Sequence, residues 1–295
     1  MNRKTNLRNG LLFASPWIIG LCVFVLYPVL ASLYYSFCNF DAIRAPHWVG
    51  IDNYHRLFLE DDTFWKSLGN TLYMVVVGLP IGLCASLGVA LLLNLKLKGM
   101  AFYRVVYFLP SITPVVATSI LWLWLLNPQT GLVDTGLRAV GVSQPPAWLT
   151  DPAWAKPALI LMGLWGAGGG MVTYLAALQD VPAELMEAAS LDGAGVWQRF
   201  RHITLPALSP VILFNLIMGL IASFQYFTQA YVMTNGGPQD STLFYALHLF
   251  NSAFLDFHMG YASAMAWVLF VITMLCALLV FKTSSRWVYY AGEAR

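Results

Sequence analysis

Glu187-Ala188-Ala189-Ser190-Leu191-Asp192-Gly193 and, after nine intervening residues, Ile203-Thr204-Leu205-Pro206 make a polar stretch between two long apolar runs. Glu187, Leu191 and Asp192 offer charged and apolar anchors. Ala188, Ala189, Gly193 and Ala194 permit close backbone approach. Together these are the means by which a short helix lies in a groove on another protein. A second set of groups falls in the fifth apolar run: Gln225, Tyr226, Thr228 and Gln229, ahead of Asn235. Gln225, Thr228 and Gln229 are spaced i, i+3 and i+4 and are expected to share one helix face. Amides pair with solute hydroxyls, and aromatic rings pack on the apolar faces of sugars. Trp267, with Tyr261 and Ser263, adds weaker candidates in the last run.

Other chemistries are poorly served. The apolar runs contain no Asp, Glu, Lys, Arg or His. An ion-coupled carrier needs such groups where its ion binds. An intramembrane enzyme needs them as acid, base or metal ligand. No GxxxxGK[ST] loop is present to cradle a nucleotide phosphate. The chain is therefore read as having no catalytic or metal-binding residues and no cofactor of its own. Cys22, Cys38, Cys84 and Cys276 lie in or beside apolar runs without paired spacing, and read as small buried hydrophobes. Trp165-Gly166-Ala167-Gly168-Gly169-Gly170 weakens its helix. Gly166 and Gly170 allow close packing, and a hinge or gate is an equal alternative.

The elements that must carry these groups follow from composition. The chain of 295 residues is 59% hydrophobic and 10% charged, whereas a soluble domain is about a quarter charged. Six segments are long enough to cross a bilayer core, which takes about 20 residues: Leu11–Phe37, Leu72–Leu95, Val105–Leu126, Ala158–Leu178, Ala207–Met233 and Met259–Phe281. The expected fold is an all-α membrane protein of six transmembrane helices, with residues 179–206 as a loop between helices 4 and 5. Residues 1–10 and 282–295 are the expected termini of a permease domain spanning 11–281. Alternate loops hold eleven basic residues on one side (Arg3, Lys4, Arg8, Lys96, Lys98, Arg104, Arg199, Arg201, Lys282, Arg286, Arg295) and five on the other. The positive-inside rule then places both termini and the 179–206 loop in the cytoplasm. The first span reads as uncleaved and bent near Pro28.

Within the loop, Ala183–Leu191 favours helix, Gly193 and Gly195 break it, and Val196–Ile203 is expected to form a second short helix before Pro206. Residues 39–71 read as an outer segment carrying an interfacial amphipathic helix. Residues 127–157 read as loop with one short helix. Asn235-Gly236-Gly237-Pro238 reads as a turn.

The 187–206 stretch resembles, position for position, the EAA-x3-G-x9-I-x-LP loop of permease subunits in binding-protein-dependent ABC importers. Ser15-Pro16-Trp17-Ile18-Ile19-Gly20, Tyr27-Pro28, Gly50 with Asn53-Tyr54, Tyr107-Phe108-Leu109-Pro110 and Asn235-Gly236-Gly237-Pro238 are similar to the sugar-type group that takes up oligosaccharides, lactose and glycerol phosphate. The resemblance implies a second homologous permease subunit, an ATPase dimer that binds ATP and Mg, an extracytoplasmic solute-binding protein and a prokaryotic plasma membrane. No nucleic-acid partner is implied. It also implies that Glu187 pairs with a basic residue of the ATPase. Two alternatives stay open: a polytopic membrane enzyme or receptor without ATP coupling, and an importer of a non-sugar solute such as a glycerol phosphodiester.

Overall fold

In lipid, backbone groups must be bonded within their own segment, so each apolar run closes on itself as helix. The computed structural model describes residues 3–95 and 97–289, with side chains from residue 10 onward. In chain order it shows α1 (Gly10–Ser36), the strands β1 (Cys38–Asn39) and β2 (His47–Trp48), α2 (Asp52–Leu59) and α3 (Asp62–Leu93). There follow α4 (Met100–Ile112), α5 (Val115–Leu125), α6 (Leu132–Ala139), α7 (Pro152–Trp165) and α8 (Gly168–Gln179). The last elements are α9 (Ala183–Leu191), α10 (Val196–Phe224), α11 (Thr228–Met233), α12 (Tyr245–Phe250) and α13 (Met259–Ser284). Among the described residues, α1, α3, α10 and α13 are each long and apolar enough to span a bilayer; the count is six if the bent pairs α4–α5 and α7–α8 are each one span.

Three of these helices run through a proline by one device. A π-helical turn, Cys22–Leu26, Met74–Gly78 or Phe200–Thr204, precedes Pro28, Pro80 and Pro206 respectively. The residue just before each proline donates its N–H five residues back, to Cys22, Met74 or Phe200. The wider turn relieves the clash of the proline ring with the preceding turn. Near Pro28, where a bend is expected, the structure shows a π turn inside a continuous α1.

The third run departs from expectation. Val105–Leu126 reads as one span, but the helix begins at Met100 and turns by 100° between α4 and α5. Pro114 holds Thr113 in an extended conformation (φ −74, ψ 134), as a residue before proline prefers. Hydropathy registers neither effect. In the fourth run, the glycine-dense tract becomes a 48° break between α7 and α8. A Cβ on Gly168 would run into the Tyr107 carbonyl, so only glycine lets α8 approach α4 that closely. Ser86 of α3 donates to the Ala167 carbonyl at 3.0 Å across the break.

The chain divides into two compact units. One comprises the segment through Asp62 together with Leu249–Phe270. There Asn53 Nδ2 donates to the carbonyls of Ser36 (2.8 Å) and Cys38 (2.9 Å), and the Tyr54 hydroxyl donates to Ser36 Oγ (2.9 Å). The Asn-Tyr pair therefore caps the end of α1. Tyr261, hydrogen-bonded to Asp61, lies under the Arg56 guanidinium at 4.8 Å. The other unit comprises Thr63–His248 and the chain from Val271 on. It has two apolar clusters, one around Trp122, Leu159, Phe244 and Leu247, the other around Leu93, Met171, Tyr174 and Leu208. Lys156 Nζ donates to Asn70 Oδ1 at 2.9 Å and sits 5.0 Å from the Tyr73 ring centre. Asn70 in turn donates to the carbonyls of Asp240 and Leu243, fastening the 235–245 turn to α3.

Two further expectations are corrected. Val196–Ile203 is not a separate helix, because the π turn Phe200–Thr204 carries α10 without a break from Val196 to Phe224. The fifth span also stops at Phe224 rather than Met233.

Candidate functional site

The 179–206 loop is built by local rules. Pro182 precedes α9 in an extended conformation (ψ 125), and Glu184 in the first turn complements the helix dipole. At the other end Asp192 is the cap and Gly193 is left-handed (φ +77). Ala194 N–H donates to the Ala189 carbonyl at 2.9 Å and Gly193 N–H to the Ser190 carbonyl at 3.2 Å. This pair of bonds is the Schellman closure, which satisfies carbonyls that the helix end leaves free. It accounts for the spacing of glycine after Glu-Ala-Ala. Gly195 N–H then donates to Gln198 Oε1 at 2.7 Å, opening α10.

Side chains lock the two helices together. Arg199 Nη1 donates to Ser190 Oγ at 2.6 Å, and Ser190 Oγ donates to the Met186 carbonyl at 2.7 Å. The Ser190–Arg199 pair does not stand out in the sequence, because that contact runs across the turn at no helical spacing.

The result is an exposed knob. Leu191 is 90% exposed, Val196 77% and Trp197 68%, an apolar display that a solvated loop has no reason to keep. The predicted residues divide between two hollows. Glu187 and Leu191 line one of about 930 Å³, with Asn94, Met186, Ser190 and Arg199. Ala189, Asp192, Gly193 and Ala194 line another of about 390 Å³, with Gln198 and His202. Ala188 is exposed and lines neither.

The polar groups of the fifth run are arranged differently from the expectation. Gln225 caps α10 (φ −99, ψ 19) and is exposed. Phe227 is non-helical (φ −132, ψ −63), and Thr228 and Gln229, both half-buried, start the separate helix α11. Gln225 therefore shares no helix face with them. Aromatic burial is the physical reason: Phe224 is fully buried, Tyr226 meets Phe244 edge-on at 5.1 Å, and Phe227 stacks on Tyr231 at 5.4 Å. Those contacts outweigh one more turn of helix. Trp267 lies in the first unit, where its indole N–H donates to Ser32 Oγ at 3.2 Å. A polar pair not foreseen joins α8 to α10: Asn215 Nδ2 donates to Thr173 Oγ1 at 3.0 Å. A lone asparagine in an apolar run was its only trace in the sequence.

Comparison with known proteins agrees with this architecture. The family described as "Binding-protein-dependent transport system inner membrane component" matches residues 68–295. The probable ABC transporter permease protein YesP of Bacillus subtilis (strain 168) is 45% identical over 99% of this chain and 94% of its own length. The lactose transport system permease protein LacF of Rhizobium radiobacter is 39% identical, over 97% and 95%. A crystal structure of a bacterial alginate ABC transporter, in complex with an alginate pentasaccharide-bound periplasmic protein, contains a chain that superposes with a TM-score of 0.83. That chain is 25% identical, and the match covers 96% of each.

Proposed function

The chain belongs to the family of binding-protein-dependent transport system inner membrane components, and from that premise we propose that it forms half of an import path for a neutral sugar or oligosaccharide, driven by a separate ATPase docked on residues 179–206. As a member of that family it is a multi-pass transport component of an ABC importer and not an enzyme. Lactose and an alginate oligosaccharide, named for two relatives, support a carbohydrate cargo. A second permease subunit completes the path, a solute-binding protein delivers the sugar from outside, and ATP with Mg resides on the ATPase dimer.

We read six spans, with α4–α5 and α7–α8 each taken as one, and the asymmetry of basic loops favours a cytoplasmic side for both termini and the knob. The permease domain then spans residues 11–281, flanked by cytoplasmic ends at 1–10 and 282–295. Glu187, Ala188, Ala189, Leu191, Asp192, Gly193 and Ala194 form the docking helix and its closure. Gln225, Tyr226, Thr228 and Gln229 remain the proposed contacts for the sugar, and Trp267 is proposed as a separate contact of the first unit. Neutral cargo is favoured because these groups are uncharged, while Lys156 is already engaged by Asn70 and Tyr73.

The exposed knob, with Glu187 and the 90%-exposed Leu191 lining one hollow, supports the docking assignment. Glu187→Lys tests it. Losing a charge pair at an interface costs about 2–5 kcal/mol when it is buried there, so the variant should insert normally yet lose ATPase binding and uptake. Wild-type binding and uptake in that variant would refute the assignment.

A further inference from the structure

Pro210 lies inside α10 and has no N–H to offer the Pro206 carbonyl one turn below. Ser209, 4% exposed, makes up the loss: its Oγ donates to that carbonyl at 2.6 Å. The same oxygen accepts the backbone N–H of Tyr289 at 2.8 Å. Tyr289 belongs to the short segment after α13, which curls back as Val288 N–H donates to the Ser284 carbonyl at 2.8 Å. The Val288 side chain is 4% exposed. Pro206 closes the Ile203-Thr204-Leu205-Pro206 end of the loop, directly after the π turn. One buried hydroxyl therefore ties the segment 284–289 to the root of the knob, through a carbonyl that proline left without its helical partner.

We infer that Ser209 is a positioning residue for the ATPase-facing loop. Through it the segment after α13 braces the base of α10, so that knob and tail present themselves to the ATPase as one piece. A loop held in its docking geometry binds more tightly than one that must be ordered on contact. The link uses a backbone amide at position 289, so the identity of that side chain is immaterial unless it is proline. This inference rests on the docking role proposed for residues 179–206.

The test is a titration of purified ATPase subunits onto the assembled full-length permease pair, with hydrogen exchange of segment 284–289 read in parallel. Tyr289→Pro should weaken ATPase affinity about fivefold, the effect of one net hydrogen bond, and Ser209→Ala, which also frees the Pro206 carbonyl, at least as much. Because Ser209→Ala already removes the bond that Tyr289→Pro breaks, the double variant should lose no more than Ser209→Ala alone. Both should speed exchange in 284–289. Ser209→Thr, which keeps the hydroxyl, and Tyr289→Ala, which keeps the amide, should bind as the parent does. Faster tail exchange with unchanged ATPase affinity, or additive losses in the double variant, would overturn the bracing role. If Glu187→Lys weakens docking in the same assay while Ser209→Ala does not, only the brace is wrong. If Glu187→Lys also binds normally, the docking reading falls and the brace with it.

Discussion

Arg199 and Ser190 are joined at 2.6 Å, linking the last turn of α9 to the first turn of α10 across the Gly193 turn. The contact makes a nine-residue helix and the root of a span into one rigid corner. Short helices are marginal in isolation, so the corner is what allows α9 to stand exposed in a fixed orientation. Ser190 sits just after the Glu-Ala-Ala string, and its hydroxyl serves α9 through Met186 as well as Arg199.

Arg199→Ala is accordingly expected to loosen the knob without unfolding the spans. The bond is worth about 1 kcal/mol after allowance for its exposure. Exchange of amides in 186–195 should quicken several-fold, while the amides of α3 and α8 stay as they were. Equal exchange in parent and variant would show that the Arg199–Ser190 contact holds nothing in place.

Gly193→Ala isolates backbone conformation from packing, because a Cβ there meets no atom within 4 Å. The left-handed φ of +77 alone penalises a side chain, by about 1–2 kcal/mol. The end of α9 should fray, and ATPase affinity should drop by about five- to thirtyfold. Gly193→Asn should be milder, since asparagine tolerates that region better. Indistinguishable binding for Gly193→Ala and the parent would show that the Schellman closure is dispensable for docking.

The contrast between the two candidate sites explains what was legible in the sequence. The bounds of α9, Ala183–Leu191, and its stop at Gly193 were readable because capping is local and uses particular residues at fixed offsets. The apolar runs were equally plain. The break at Gln225–Phe227 was not readable, since it depends on Phe244 and Tyr231 lying where aromatic side chains can bury against them. The 100° turn at Thr113–Pro114 left its prolines in view, but an uncharged run masks a change of direction. Ser190–Arg199 and Ser209–Tyr289 are tertiary contacts, and no periodicity announces them.

The orientation has a direct check. In a background without native cysteines, Asp192→Cys should react with a membrane-impermeant maleimide only when the cytoplasmic face is open, and Asp62→Cys only from outside. Both positions are exposed, so access to either is set by its side of the bilayer. The opposite labelling pattern would invert the arrangement of basic loops and remove residues 179–206 from the ATPase.

The proposed solute contacts are best probed one element at a time, because Gln225 ends α10 while Gln229 belongs to α11. Gln229 is half-buried at the head of a six-residue helix that packs on α5. Gln229→Leu removes an amide of similar length, so ATPase binding should persist while solute affinity weakens about fivefold, the worth of one net hydrogen bond. Gln225→Leu acts on a separate element, so two losses that multiply in the double variant would mean two independent contacts with one sugar. The measurement is the half-saturating solute concentration for ATP-dependent uptake in proteoliposomes holding both permeases, the ATPase and the binding protein. A loss in Gln225→Leu alone would confine the contact to the end of α10. Unchanged saturation in both variants would move the sugar site to other residues or to the second permease.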